Sequence, residues 1–266
     1  MFLKKLLQKR NAIYIGSFVL AIVLIFLISG SPGIITTSAS SRKLPIYSVQ
    51  RDDMCVSLTF DAAWGNEDTQ QLIDILGKYG VKATFFVVGD WVSKYPESVK
   101  ALSDAGHEIM THSDDHAHFS QLSSEKIKEN IKNSCDKIEK VTGIRPQLFR
   151  CPYGEYDDHV IQTLTDMGMK TIQWDVDSLD WKDLTADEIF QRVTSKTQAG
   201  SIILFHNAAK NTPEALPSII ENLIGNGYRL VPVGELLLSG DYEIDHTGRM
   251  RGISGNAASS SLDLAT

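Results

Sequence analysis

Chemically reactive side chains occur at the ends of several predicted strands in this sequence of 266 residues. Asp61 directly follows an apolar strand, where it could act as a general base, a metal ligand or the cap of the next helix. His112 and His116 are four residues apart, so on one helical turn they would face the same way and could share a divalent ion such as zinc. Two surface histidines on a polar loop are the alternative for that pair.

Polar residues follow the next three predicted strands as well. Arg150 ends the fourth, where a guanidinium needs a carboxylate partner, either in a structural ion pair or in a site. Asp177 and Asp180 follow the fifth. His206 follows the sixth and should be partly removed from water. A carboxylate beside His206 would raise its pKa and suit it to donate a proton as a general acid, whereas the alternative is a hydrogen-bonded histidine at the edge of the core.

The pattern of apolar runs predicts the elements that position these residues. Short apolar runs alternate with longer amphipathic ones from Cys55 onward, which predicts about seven strands, each followed by a helix. The predicted strands are residues 56–61, 83–88, 108–111, 148–150, 170–175, 201–205 and 229–232. Such alternation is typical of a parallel sheet with helical crossovers, either a distorted (β/α) barrel or an open doubly wound sheet. In a barrel the strand ends form one rim, so the reactive residues should meet there.

The sequence before this domain predicts a membrane segment. Residues 1–10 carry four positive charges and residues 11–31 carry none, and the length of the apolar stretch fits a bilayer span. We predict a cytoplasmic basic tail (1–10), a transmembrane signal anchor (11–31), a linker (32–53), a catalytic domain (54–240) and a polar C-terminal tail (241–266). This predicts a single-pass cell-membrane protein with its catalytic domain outside the cytoplasm. A signal peptide cleaved near residue 40 is the alternative and predicts a secreted protein.

Two classes of partner are disfavoured by the sequence. The net charge of −7 argues against general nucleic-acid binding, which usually needs a basic face. No glycine-rich phosphate loop follows a predicted strand, so we predict no nucleotide.

Five short motifs resemble, in order, those of the polysaccharide deacetylases, the NodB-homology group known as carbohydrate esterase family 4. They are TFD at 59–61, HSDDH at 112–116, RCPYG at 150–154, DSLDW at 177–181 and LFH at 204–206. The resemblance covers about residues 53–238. It implies a distorted (β/α) barrel and metal-assisted hydrolysis of N-acetyl groups on a polysaccharide. The TFDxxWG form with DSLDW resembles a sporulation-associated branch, which implies peptidoglycan as the substrate.

The resemblance also implies the roles of the acid–base residues. Asp61 would be the general base that deprotonates water, and Arg150 would orient it. His206 would be the general acid that protonates the leaving sugar amine, and Asp180 would tune its pKa.

The remaining motif residues would hold the metal and the acetyl group. By the same resemblance, His112 and His116 would be metal ligands, with zinc as the expected ion. The backbone N–H of Tyr153 would help to hold the oxyanion. Trp181 and Leu204 would line the acetyl pocket.

One position departs from the family pattern in a way that matters for the metal. The family has a second, metal-binding Asp after the base, whereas this chain has Ala62. Another carboxylate could replace it, water could complete a weaker site, or the metal could be absent. The candidate carboxylates are Glu67, Asp68, Asp114 and Asp115. We predict an enzyme with a weakened metal site. The alternatives are a glycan-binding wall protein with weakened catalysis, and an esterase acting on O-acetyl or xylan groups.

Overall fold

Two sheets form in the computed structural model, which describes residues 42–253. The strands are β1 (Ser48–Val49), β2 (Cys55–Ala62), β3 (Thr84–Val87), β4 (Glu108–Thr111), β5 (Leu148–Phe149), β6 (Lys170–Thr171), β7 (Val176–Asp177), β8 (Ile202–His206), β9 (Arg229–Leu230), β10 (Tyr242–Ile244) and β11 (Arg249–Gly252). Seven of them pair in parallel in the order β6-β5-β4-β3-β2-β8-β7, and β9 pairs with the first residues of β2. The sheet is a curled half-barrel, which confirms the predicted α/β fold with about seven parallel strands.

Helices follow most of these strands, as the alternation predicts. They are α1 (Thr69–Lys78), α2 (Gly89–Lys94), α3 (Pro96–Asp104), α4 (Ser124–Thr142), α5 (Asp158–Asp166), α6 (Ala186–Thr194), α7 (Thr212–Gly225) and α8 (Val233–Leu236). The main core lies between helices and sheet, where Leu58 and Phe60 of β2 belong to one apolar cluster with Leu76 of α1 and Ile219 of α7. Because β2 pairs with β3 on one side and β8 on the other, its last residues lie inside the rim and not at its edge.

The longest helix shows how local sequence sets these bounds. The Ser123 side chain accepts a hydrogen bond from the Lys126 N–H at the start of α4, and Gly143 ends the helix with a φ of 75°. Ile127 and Ile131 lie on its buried face. Both ends therefore carry local sequence signals, a capping serine at the start and a glycine at the stop.

The predicted strand 170–175 is wrong, because only the short β6 lies in that range and a second short strand, β7, begins at Val176. β6 pairs with β5 at one edge of the sheet, whereas β7 pairs with β8 at the other. The residues between them bond elsewhere: the N–H of Gln173 donates to the Ile46 carbonyl, and the N–H of Asp175 donates to the Ile202 carbonyl. The chain thus passes from one edge of the half-barrel to the other.

Parts of the predicted linker and tail are ordered as strands. β11 pairs with β1 in parallel and with β10 in antiparallel fashion. A turn joins β10 to β11, in which Asp245 accepts hydrogen bonds from the N–H groups of Thr247 and Arg249. The side chain of Met250 is fully buried, so burial on the domain holds this hairpin in place.

The predicted localisation needs correction. Within residues 42–253, every helix is too short or too polar to cross a membrane. The predicted anchor, residues 11–31, lies outside the described residues. The assignment to the cell membrane is therefore withdrawn.

Candidate active site

Six of the reactive residues, those with an implied role in acid–base chemistry or metal binding, lie together at the C-terminal ends of the parallel strands. Four of them line a cavity of about 450 Å³, and the other two lie behind it. The lining residues are Asp61, His112, His116 and His206. Behind them, Arg150 and Asp180 are almost completely buried.

Asp61 is held by a buried guanidinium. Arg150 Nη1 donates to Asp61 Oδ1 over 2.8 Å and to Thr59 Oγ1 over 2.9 Å. Its Nη2 donates to the Gln173 carbonyl, and the guanidinium carbon lies 4.1 Å from the centre of the Phe86 ring. Burial has the largest single influence and raises the pKa of Asp61, but the charge and hydrogen bond of Arg150, together with the charges of His112 and His206, leave that pKa below its ordinary value. The carboxylate is therefore ionised and fixed in orientation.

His206 has the opposite electrostatic environment. Its Nδ1 lies 2.8 Å from Asp180 Oδ1, and its backbone N–H donates to Asp180 Oδ2. The Thr212 hydroxyl also donates to Oδ2, so the Asp180 carboxylate is fixed from three sides. Burial lowers the pKa of His206, but the hydrogen bond and charge of Asp180 raise it above the ordinary value. The protonated imidazole is therefore favoured, with its Nε2 left to face the cavity.

The two histidines of the HSDDH motif meet through a turn, so the predicted helical turn is wrong. Ser113 and His116 have φ angles of 77° and 58°, and the Ser113 hydroxyl accepts a hydrogen bond from the His116 N–H. The ring centres of His112 and His116 are nevertheless 5.0 Å apart. His112 Nδ1 lies 2.9 Å from the Arg150 carbonyl, which can only accept, so Nε2 keeps its lone pair. Burial lowers the pKa of both rings and favours their neutral forms, as metal ligation requires.

The third ligand of a metal site is missing at position 62. Ala62 is 1% exposed and packs in the main apolar cluster, and it does not line the cavity. Residues 42–253 contain no group of three His, Cys, Asp or Glu that could hold a metal. His112 and His116 therefore fit two positions of the implied site, and the residues present do not complete it.

The four carboxylates proposed as replacements are engaged elsewhere. Their contacts are Asp114 with Lys137 Nζ at 2.6 Å, Asp115 with Asn130 Nδ2 at 2.7 Å, Asp68 with the Ala208 N–H at 2.8 Å, and Glu67 with the Asn66 N–H at 2.9 Å. None of the four lines the cavity. The structure gives no support to a substitute ligand among them.

The implied oxyanion and pocket residues also border the cavity. Tyr153 has a φ of 59° and precedes Gly154, whose φ is 68°, so the loop after β5 turns sharply. Trp181 is exposed, whereas Leu204 of β8 is buried, and both line the cavity. Cys151, which directly precedes this loop, is fully buried.

Three supporting residues were not predicted. The Gln173 side chain donates to the Gly154 carbonyl, and Thr212 donates to Asp180. Asn207 accepts from the Ala63 N–H and donates to the Gly65 carbonyl. All three are polar and buried. Their contacts join segments far apart in sequence, so only the placement of Asn207 directly after His206 was a usable signal.

The fold is a parallel α/β half-barrel, and an ionised carboxylate and a proton-donating histidine face the same cavity. These features are typical of a hydrolase that uses acid–base catalysis. Comparisons place the chain more narrowly. A family model described as polysaccharide deacetylase matches residues 48–172. A peptidoglycan-N-acetylglucosamine deacetylase of Bacillus cereus is 34% identical over 196 residues, covering 72% of this chain and 92% of that protein. The chain belongs to the polysaccharide deacetylase family, carbohydrate esterase family 4.

Other relatives differ in length or in activity. The uncharacterized protein YlxY of Bacillus subtilis is 35% identical over 193 residues, covering 73% of this chain and only 60% of that protein. The structure of BA3943, a CE4 family pseudoenzyme from Bacillus anthracis, has a TM-score of 0.70 at 37% identity, covering 72% of this chain and 68% of that one. A BA3943 mutant described as having restored enzymatic activity has the same TM-score at 38% identity, covering 72% and 70%.

Proposed function

We propose that this protein removes N-acetyl groups from a cell-wall polysaccharide, with peptidoglycan as the substrate. One observation carries the proposal: Asp61 and His206 line the same cavity, and each is held by a buried partner of opposite charge, Arg150 and Asp180 respectively. Environments that push two titratable groups towards opposite protonation states are typical of a base and an acid that act on one substrate. The name of the Bacillus cereus relative supports the choice of peptidoglycan.

In this mechanism the chain's own residues move protons and fix the substrate. Asp61 takes a proton from the attacking water, and Arg150 keeps it ionised and oriented. His206 gives a proton to the sugar nitrogen as the C–N bond breaks, so that the amine leaves neutral. The Tyr153 N–H stabilises the oxyanion, while Trp181 and Leu204 enclose the acetyl methyl group.

We propose that His112 and His116 would hold a divalent ion, and that they would do so weakly because residues 42–253 offer no third protein ligand. Such an ion, when bound, lowers the pKa of water and polarises the carbonyl. The neutral imidazoles and the fixed tautomer of His112 support this assignment. Membership of a sporulation-associated branch stays a prediction from the motifs alone.

A second candidate is a glycan-binding protein without catalysis. Ala62 favours it, because it removes a ligand, and so does the similarity to a protein described as a pseudoenzyme. The two candidates agree on the substrate class and differ on whether the bond is broken.

Acetate release from peptidoglycan, measured with and without added zinc, separates the candidates. If the wild type is an enzyme, Asp61→Asn should lower the rate about 100-fold or more, because a general base is lost. Asp115→Asn is the matched control, since Asp115 is an exposed carboxylate outside the cavity. Equal release by wild type and Asp61→Asn would refute the mechanism. Release only by Ala62→Asp would reject catalysis by the wild type and favour the glycan-binding candidate.

A further inference from the structure

Exposed aromatic side chains are concentrated at the mouth of the cavity. Seven large apolar side chains are exposed within residues 42–253, and all three aromatic ones among them line this cavity. They are Trp64, Tyr153 and Trp181, which are 63%, 56% and 57% exposed. Single exposed apolar residues are common, but an aromatic group collected around one cavity marks a binding surface. Trp64 is the tryptophan of the TFDxxWG form, but the proposed mechanism gives it no role.

Trp64 lies in a loop whose backbone is fixed by several hydrogen bonds. Asn207, which is 6% exposed, accepts from the Ala63 N–H and donates to the carbonyls of Trp64 and Gly65. The indole N–H of Trp91 donates to the Gly65 carbonyl as well. The backbone on both sides of Trp64 is thus tied down while its ring stays in water. Because the backbone of this loop is already fixed, a ligand that stacks on the ring has little backbone left to order.

The position of Trp64 relates it to the reacting groups. Its ring centre lies 5.2 Å from that of His116, which in turn lies 4.5 Å from the ring of Tyr153. Trp181 follows β7, and β2 lies between β5 and β7 in the sheet. Trp64 therefore lies at the centre of the aromatic rim, three residues after Asp61, and extends towards solvent.

We propose that Trp64 stacks on the sugar ring next to the one that is deacetylated. A pyranose ring carries C–H bonds on its face, and these pack well on an indole. The site would then recognise a glycan chain of at least two units rather than a single N-acetylated sugar. The choice of ligand rests on the proposed function, but the stacking itself needs no turnover.

Calorimetric titration with tetra-N-acetylchitotetraose, and separately with N-acetylglucosamine, tests this subsite. The full chain is dialysed against a chelator so that binding is measured without turnover. We expect Trp64→Ala to bind the tetramer about tenfold more weakly, or about 1.4 kcal/mol, with the affinity for the single sugar unchanged. Trp64→Phe should keep most of the affinity. Ile144→Ala is the control, because Ile144 is also 63% exposed and does not line the cavity.

The outcomes separate this inference from the proposed function. Tetramer binding by Trp64→Ala within twofold of the wild type overturns the subsite, even if acetate release is normal. Absence of tetramer binding by the wild type overturns it too. Binding that depends on Trp64 in a chain that releases no acetate keeps the subsite and rejects the deacetylase. Circular dichroism of each variant shows that the fold is kept.

Discussion

The Asp180–His206 contact allows a quantitative prediction for Asp180→Asn. The amide is nearly the same shape as the carboxylate and can still accept from the His206 backbone N–H and the Thr212 hydroxyl. What it removes is a negative charge 2.8 Å from His206 Nδ1. An opposite charge this close shifts a pKa by about 1 to 3 units. Burial would then be opposed only by the smaller effects of the Asp61 and Asp177 charges, so the pKa of His206 should fall.

The sign of the effect follows from the role of His206. Because its pKa is raised in the folded protein, the protonated acid persists to higher pH, and activity is lost as pH rises through that pKa. The same contact stabilises the fold at low pH, and that contribution is also lost as pH rises through the folded pKa. In Asp180→Asn the alkaline limb of the kcat/KM profile should shift to lower pH by at least about 1 pH unit. At a fixed pH on that limb, kcat/KM should fall about tenfold for each unit by which the pKa of His206 is lowered.

The assay is acetate release from peptidoglycan across pH 5 to 10, together with an NMR titration of the His206 ring. The titration keeps the test open even if a variant is inactive. Asp177→Asn is the matched control, because Asp177 also lines the cavity but acts on His206 only weakly through its charge. An unchanged alkaline limb and an unchanged His206 titration in Asp180→Asn would refute the assignment of the acid.

Three further predictions concern buried groups. Arg150→Met should lower the free energy of unfolding by about 3 to 5 kcal/mol, because Asp61 would be left buried without its partner; a loss under about 1 kcal/mol in chemical denaturation would contradict this. Burial, together with the charge of Lys82, lowers the pKa of His107 to about 4. The free energy of unfolding should therefore fall by up to about 3 kcal/mol as the pH drops from above 6.5 to 4. An NMR titration in which His107 has its ordinary pKa would refute this prediction. Gln173→Leu should lower kcat about tenfold with little change in KM, because the Gln173 side chain donates to the Gly154 carbonyl in the loop of Tyr153. Gln173→Glu cannot donate to that carbonyl and should lose as much activity. Full activity in either variant would show that the contact is dispensable.

The fold could be predicted as far as local patterns decide it. Alternating apolar runs predicted β2, β3 and β4 within a residue or two, and the ends of α4 coincide with the local signals of Ser123 and Gly143. The break between β6 and β7 could not be found this way, because it depends on pairing with Ile46, more than a hundred residues earlier. The hairpin β10–β11 did carry a signal in its alternation and its Asp-initiated turn, but its small apolar content favoured a polar tail.

The site shows the same division. Residues at strand ends could be predicted to meet, because parallel strands share one rim, and Asp61, Arg150 and His206 do so. The partners that fix them could not, since Gln173 and Thr212 look like ordinary polar residues in the sequence. His112 and His116 were correctly predicted to lie close together, but from helical spacing. In the structure they lie close because a turn with two positive φ angles joins them.

The acid–base pairs and the metal site are structurally separable, and residue 62 shows why. Neither the Arg150–Asp61 contact nor the Asp180–His206 contact involves Ala62, whose carbonyl accepts from the Val88 N–H. Replacing an aspartate there removes one ligand while the neighbouring proton-transfer groups stay in place. A carboxylate restored at 62 would be buried and costly unless it turned from the apolar cluster to a metal ion. Zinc should therefore stabilise Ala62→Asp far more than the wild type, and equal stabilisation would show that position 62 cannot reach the ion.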